Sequence, residues 1–126
     1  MKTIYPIKFK GLVLEGKKKI NVREIFFDGP LKENQVLVKL SYSGVCGKQV
    51  EEYNFKMGPD KFIPHLLGHE GSGIVIDTGN NVKHVKKNDH VVLHWMPNKY
   101  GKNAETARYR YKNKFSIPSK GIFYKN

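Results

Sequence analysis

"GVCGKQVEEYNFKMGPDKFIPHLLGHEGSGIVIDTGNNV" spans Gly44–Val82 and carries the residues on which a reading of this chain turns. It holds the single cysteine, Cys46, and, in "GHE", one of the five histidines, His69, between glycines. Zinc is bound by thiolate, imidazole and carboxylate, and catalytic sites leave one coordination position open. Cys46, His69 and Glu70 are those residue types. A free cysteine more often acts as a small buried hydrophobe, so local spacing alone favours packing over ligation. A second pairing fails on backbone grounds. His65 and His69 stand four residues apart with Glu70 following, as on a helical zinc-protease face, but Pro64 and Gly68 oppose a helix there.

Outward from this stretch the pattern is that of short strands. "IKFKGLVL" (Ile7–Leu14) and "KINVREIFF" (Lys19–Phe27) alternate with period two, and "QVLVKLSYSGV" (Gln35–Val45) is rich in β-branched residues. "GSGIVIDTG" and "DHVVLHW" complete the set, with turn signals in "EGKKK", "DGP", "TGNN" and "KKND". The pattern predicts a mainly β domain, with Lys17–Lys19 at a solvated hairpin tip. "KQVEEYNF" (Lys48–Phe55) is the one helical turn, ended by Gly58 and Pro59. After Trp95 the chain becomes basic, aromatic and poor in aliphatic residues, which predicts loop with one weak strand around Tyr109–Phe115. The expected division is a compact β unit over residues 1–95 and a basic aromatic tail over 96–126 that continues the same domain.

At 126 residues with 39% hydrophobic content the chain suits one domain with a real core. No run is long and apolar enough to cross a bilayer, and the opening residues, lacking an uninterrupted apolar stretch, give no expectation of a secretory signal. One cysteine forms no internal disulfide, so the expected compartment is the reducing cytoplasm. The net charge of +12 invites a nucleic-acid reading. Only Arg23, Arg108 and Arg110 are arginines, however, and bidentate phosphate or base contacts favour the guanidinium fork over scattered lysine.

The longer pattern shifts the balance toward ligation. Gly68-His69-Glu70, two residues, Gly73, five residues, Gly79, two residues and Val82 resembles the zinc signature of the zinc-dependent medium-chain alcohol dehydrogenases. "QVLVKLSYSGVCGKQ" is similar to that family's strand leading into the zinc cysteine turn. "KKNDHVVLHW" is similar to its "GDHVV" strand, with Asn88 in place of the usual Gly. The likeness runs from about Ile7 to Trp95.

The resemblance implies a GroES-like, partly open β-barrel with one or two short helices. It implies that Cys46 and His69 ligate a catalytic zinc as thiolate and imidazole, with Glu70 beside the metal as a third ligand or a neighbour that tunes it. Zinc there acts as a Lewis acid on a small alcohol or carbonyl substrate, and NAD(P) takes or gives the hydride. Gly68, Gly71 and Gly73 would let backbone pass close to the site; a bend of the barrel accounts for them equally well.

There are departures from the family. Lys48 stands where many members carry a Ser or Thr that relays the substrate proton. Gln49 stands where many carry an Asp that holds the zinc histidine through its other ring nitrogen; Gln49 can accept that hydrogen bond without a charge. Asp89 and His90 read as buried structural polar residues, His84 and His94 as surface or strand-end residues. No G-x-G-x-x-G follows a strand; the nearest sequence, "GHEGSG", has the glycine spacing reversed. The expectation is therefore the first part of such an oxidoreductase, incomplete as an enzyme alone. The alternative is a non-catalytic small β-barrel binding module that uses "RYRYKNKF" (Arg108–Phe115), where charges interleave with rings as on single-strand nucleic-acid surfaces.

Overall fold

The computed structural model describes residues 2–94, 107–112 and the backbone of 114–118. Two sheets make up the fold. Strands β1 (Ile7–Gly16), β2 (Lys19–Phe27), β4 (His65–Leu66), β7 (Arg108–Tyr111) and β8 (Lys114–Pro118) form one, in the order β4-β1-β2-β7-β8. Strands β3 (Val36–Ser43), β5 (Gly71–Thr78) and β6 (His90–Leu93) form the other, in the order β3-β5-β6. One helix, α1 (Gly47–Asn54), stands among the described residues, between β3 and β4. The mainly β, GroES-like expectation is met.

The β1–β2 hairpin forms where two alternating runs flank the lysine-rich turn, and Lys18 takes a left-handed φ of 55° at its tip. The tip is tied down: the Lys18 amide donates to the Tyr53 carbonyl at 2.8 Å, joining the hairpin to the last turn of α1. Alternation places Val13 and Ile25 on the inner face, where both are fully buried and meet Leu66 and Tyr111. Phe9 packs edge-to-face on Tyr109 at 5.3 Å between centroids, and Phe27 follows at 6.0 Å.

Two features were not legible in the sequence. The weak strand expected around Tyr109–Phe115 is two strands, β7 and β8, paired antiparallel on either side of Lys112, whose φ is 51°. Tyr111 belongs to the buried core cluster although its neighbours read as a basic surface. Helix α1, Gly47–Asn54, matches the expected Lys48–Phe55 closely; Phe55 closes it in the left-handed C-cap conformation at φ 56°, ahead of Gly58 and Pro59. Asn88, the substitute for the family's Gly, has φ 75°, a conformation that Asn tolerates better than most side chains.

The path from β4 to β5 positions the site. Val13 pairs with Leu66 and Leu14 with His65, and the Leu67 amide reaches the Leu12 carbonyl at 2.9 Å. This edge holds the chain against the first sheet up to Leu67. From Gly71 onward it is an inner strand of the second sheet, paired with both β3 and β6. Residues 68–70 are the crossing between sheets.

Candidate functional site

His69 and Glu70 lie in that crossing, anchored on both sides by strand pairing. The β3–β5 ladder ends with Ser43 opposite Gly71. Beyond it the Gly44 amide donates to the Glu70 carbonyl at 3.3 Å, and the Ser43 hydroxyl to the same oxygen at 3.4 Å. The turn after β3 is thereby brought beside residues 69 and 70. Two residues further on, Cys46 is the N-cap of α1, extended at φ −114° and ψ 167° and half-buried.

Gln49 is buried, and its Oε1 receives the Cys46 amide hydrogen at 3.3 Å. This is the reach of the third helical residue back to the cap, a local role that differs from the hydrogen bond to the His69 ring expected from sequence. Lys48, in the position of the family's hydroxyl relay, turns outward: its Nζ lies 2.8 Å from Met57 Sδ and 3.4 Å from Glu51 Oε2.

The two histidines of the stretch separate cleanly. His65 is fully buried and both ring nitrogens face acceptors, Nδ1 the Leu66 carbonyl at 3.1 Å and Nε2 the Asp60 carboxylate at 2.7 Å. Its role is to tie the 60–65 segment to the fold. His69 is 8% exposed, and its Nε2 is buried without a hydrogen-bond partner, 3.6 Å from Glu70 Oε2. A buried nitrogen with a free lone pair or an unpaired proton is costly unless something meets it. Among the described residues, no group of three Cys, His, Asp or Glu side chains is gathered closely enough to hold a metal ion.

A cleft of about 340 Å³ opens beside these residues, walled by Leu12, Val50, Tyr53 and Leu67, with Gly44 and Gly68 on the side of the site. Sequence reasoning did not find Leu12 or Tyr53, which reach the cleft from β1 and from the end of α1. Gly44 was visible only as part of a small-residue turn. Of the other polar residues, Asp89 is half-buried and accepts the Lys86 amide at 2.9 Å, whereas His90 is exposed rather than buried. His84 and His94 are exposed.

Comparison with known proteins decides the family. The alcohol dehydrogenase GroES-like domain matches residues 32–125. The chain belongs to this family. Among its relatives, D-xylulose reductase from Morganella morganii is 38% identical over 88 residues, covering 67% of this chain and 25% of that protein. The NDMA-dependent alcohol dehydrogenase of Amycolatopsis methanolica is 36% identical over 104 residues, covering 82% of this chain and 26% of its own length. The fold matches an alcohol dehydrogenase from Thermus sp. ATN1 with a TM-score of 0.63 at 24% identity, over 75% of this chain and 28% of that one. The chain spans about a quarter of the length of the curated relatives it matches. No helix among the described residues is long and apolar enough to cross a membrane.

Proposed function

We propose that this chain supplies the metal-site part of a zinc-dependent, NAD(P)-linked oxidoreductase of the alcohol dehydrogenase type, acting on a small alcohol or carbonyl substrate in the cytoplasm. In this reading residues 1–95 carry the site and 96–126 continue the same domain. The observation behind it is the unpartnered, buried Nε2 of His69 beside the Glu70 carboxylate. An imidazole nitrogen kept dry and unbonded suits a metal ligand better than a core histidine, as the fully partnered His65 makes plain by contrast.

His69 and Cys46 would hold the zinc, the imidazole from the sheet crossing and the thiolate from the N-terminus of α1. A helix N-terminus favours negative charge, and so a thiolate, at that position. Bound there, zinc would supply Lewis acidity to the substrate oxygen. The Glu70 carboxylate adds negative charge near His69, and the apolar walls of the cleft exclude water from an uncharged substrate. Lys48, directed to Met57 and Glu51, offers no hydroxyl relay, so proton release in this reading runs through another group. Activity on a particular substrate would, in this reading, draw on parts of the relatives beyond the quarter of their length that this chain matches.

The test is metal content after chelator-free purification under reducing conditions. The wild-type chain is expected to hold zinc that Cys46→Ser and His69→Ala lose. Equal, trace zinc in wild type and Cys46→Ser would make the metal assignment wrong. The basic-tail alternative gains little from the structure, because Arg110 is engaged by both Asp28 oxygens and lies over the Phe26 ring at 4.4 Å.

A further inference from the structure

We propose that Gly44 is a positioning residue for Glu70: its bare Cα is the seat that holds the Glu70 carboxylate beside His69. The inference rests on the metal-site reading above and extends it to a residue outside the ligand set. A Cβ added at Gly44 would lie 2.9 Å from Glu70 Cδ and 3.0 Å from Glu70 Cγ, and closer still to Oε1. Its three nearest neighbours are thus all atoms of one side chain. Gly71 and Gly73 differ, since a Cβ at either would run into backbone carbonyls of β3. Those two glycines serve the ladder, whereas Gly44 serves Glu70.

Conformation does not require glycine at position 44. Among the described residues the left-handed glycines are Gly29, Gly58 and Gly68, and Gly44 is not one of them. What the position needs is the absence of a side chain. The main chain of Glu70 is pinned by the Gly44 amide and the Ser43 hydroxyl, so its side chain has a fixed origin. From there one carboxylate oxygen rests over Gly44 and the other lies 3.6 Å from the unpartnered His69 Nε2. The carboxylate is 39% exposed and forms the movable end of the contact. A methyl group at residue 44 therefore displaces the carboxylate, not the backbone. Its consequence is electrostatic: the negative charge leaves the histidine nitrogen while the Cys46 turn stays in place.

Two measurements on the full chain test this. In the metal-free protein, NOEs are expected between the Gly44 Hα protons and the Glu70 Hγ protons; their absence overturns the seat whether or not a metal binds. The second is Co²⁺ titration, followed by the thiolate-to-metal absorption, of wild type, Gly44→Ala, Glu70→Ala and the double variant. Gly44→Ala is expected to weaken Co²⁺ binding about tenfold, the low end of what outer-shell neighbours of a metal site contribute. Glu70→Ala should cost about as much, and the double variant no more than either. Melting of Gly44→Ala should match wild type. Losses that multiply in the double variant, undiminished Co²⁺ binding by Gly44→Ala, or an equal melting loss from Gly44→Ala with and without Glu70 would each overturn the proposal. A wild-type chain that shows the NOEs but takes up no Co²⁺ overturns the metal-site reading and leaves the seat standing.

Discussion

Glu15 shows how single residues set the behaviour of this protein. Arg23 donates to both of its carboxylate oxygens at 2.8 and 3.0 Å, the Tyr111 hydroxyl to one, and the Asn21 amide to the other at 3.0 Å. The Arg23 hydrogen bonds, then that of Tyr111, hold its pKa down from 4.5 to about 2. A carboxyl whose pKa falls on folding contributes stability that is complete above its unfolded value and is lost as the pH drops through the folded one. Stability of the wild type should therefore fall between about pH 4.5 and about 2, and Glu15→Gln should flatten that limb in urea-unfolding midpoints across the range. At Gly73 the chemistry is steric. A Cβ there would sit 2.9 Å from the Lys39 carbonyl carbon and nearer its oxygen, and neither belongs to a flexible side chain. Gly73→Ala is expected to destabilise by about 3 kcal/mol in urea denaturation; an unchanged midpoint would refute the close approach. Gly58, with nothing within 4 Å but φ at +94°, would be costly for conformational reasons alone.

At the scale of elements, the strands with clear period-two alternation were legible from sequence, and β2 has the bounds that its pattern indicates. Strand β4 was not, since two residues carry no period; it exists because β1 offers Val13 and Leu14 as partners. The β7–β8 hairpin was half-legible. Its aromatic residues were visible, but whether they face water or core depends on where β7 lands, and it lands against β2 with Phe26 opposite Arg110. That pairing buries Tyr111 against Val13 and Ile25 and brings its hydroxyl to Glu15. Tyr111→Phe keeps the buried ring and removes the hydrogen bond to an ionised carboxylate, so it should cost about 1.5 kcal/mol. Ile25→Ala, at a fully buried site, should cost about 3 kcal/mol. Thermal or urea unfolding distinguishes the two, and equal losses would argue that Tyr111 is held by its hydroxyl alone. Helix α1 was legible to within a residue at each end, although the left-handed conformation of Phe55 that closes it is not announced by the sequence.

For the molecule as a whole, the charge of +12 is the feature that composition makes most prominent and the structure makes least specific. Arg23 and Arg110 are paired with Glu15 and Asp28, which leaves lysine to dominate the excess. A single-stranded oligonucleotide is expected to give no saturable complex at about 0.15 M salt; tight binding that persists there, measured by fluorescence anisotropy, would favour the basic-tail alternative. Reading along the chain was enough for the mainly β class, the strand pattern and the family, because alternation and the fixed spacing from Gly68 to Val82 are local properties. It also named His69, Glu70 and Cys46 as the residues to watch. Their surroundings came from tertiary structure. The register of β3 on β5 brings Gly44 to Glu70, the pairing of β4 with β1 aims the crossing at the cleft, and the landing of β7 on β2 carries the Tyr111 hydroxyl to Glu15. The physical reason is that a side chain's hydrogen-bond partners and burial come from strands distant along the chain, and the choice of neighbouring strand is a property of the packed whole.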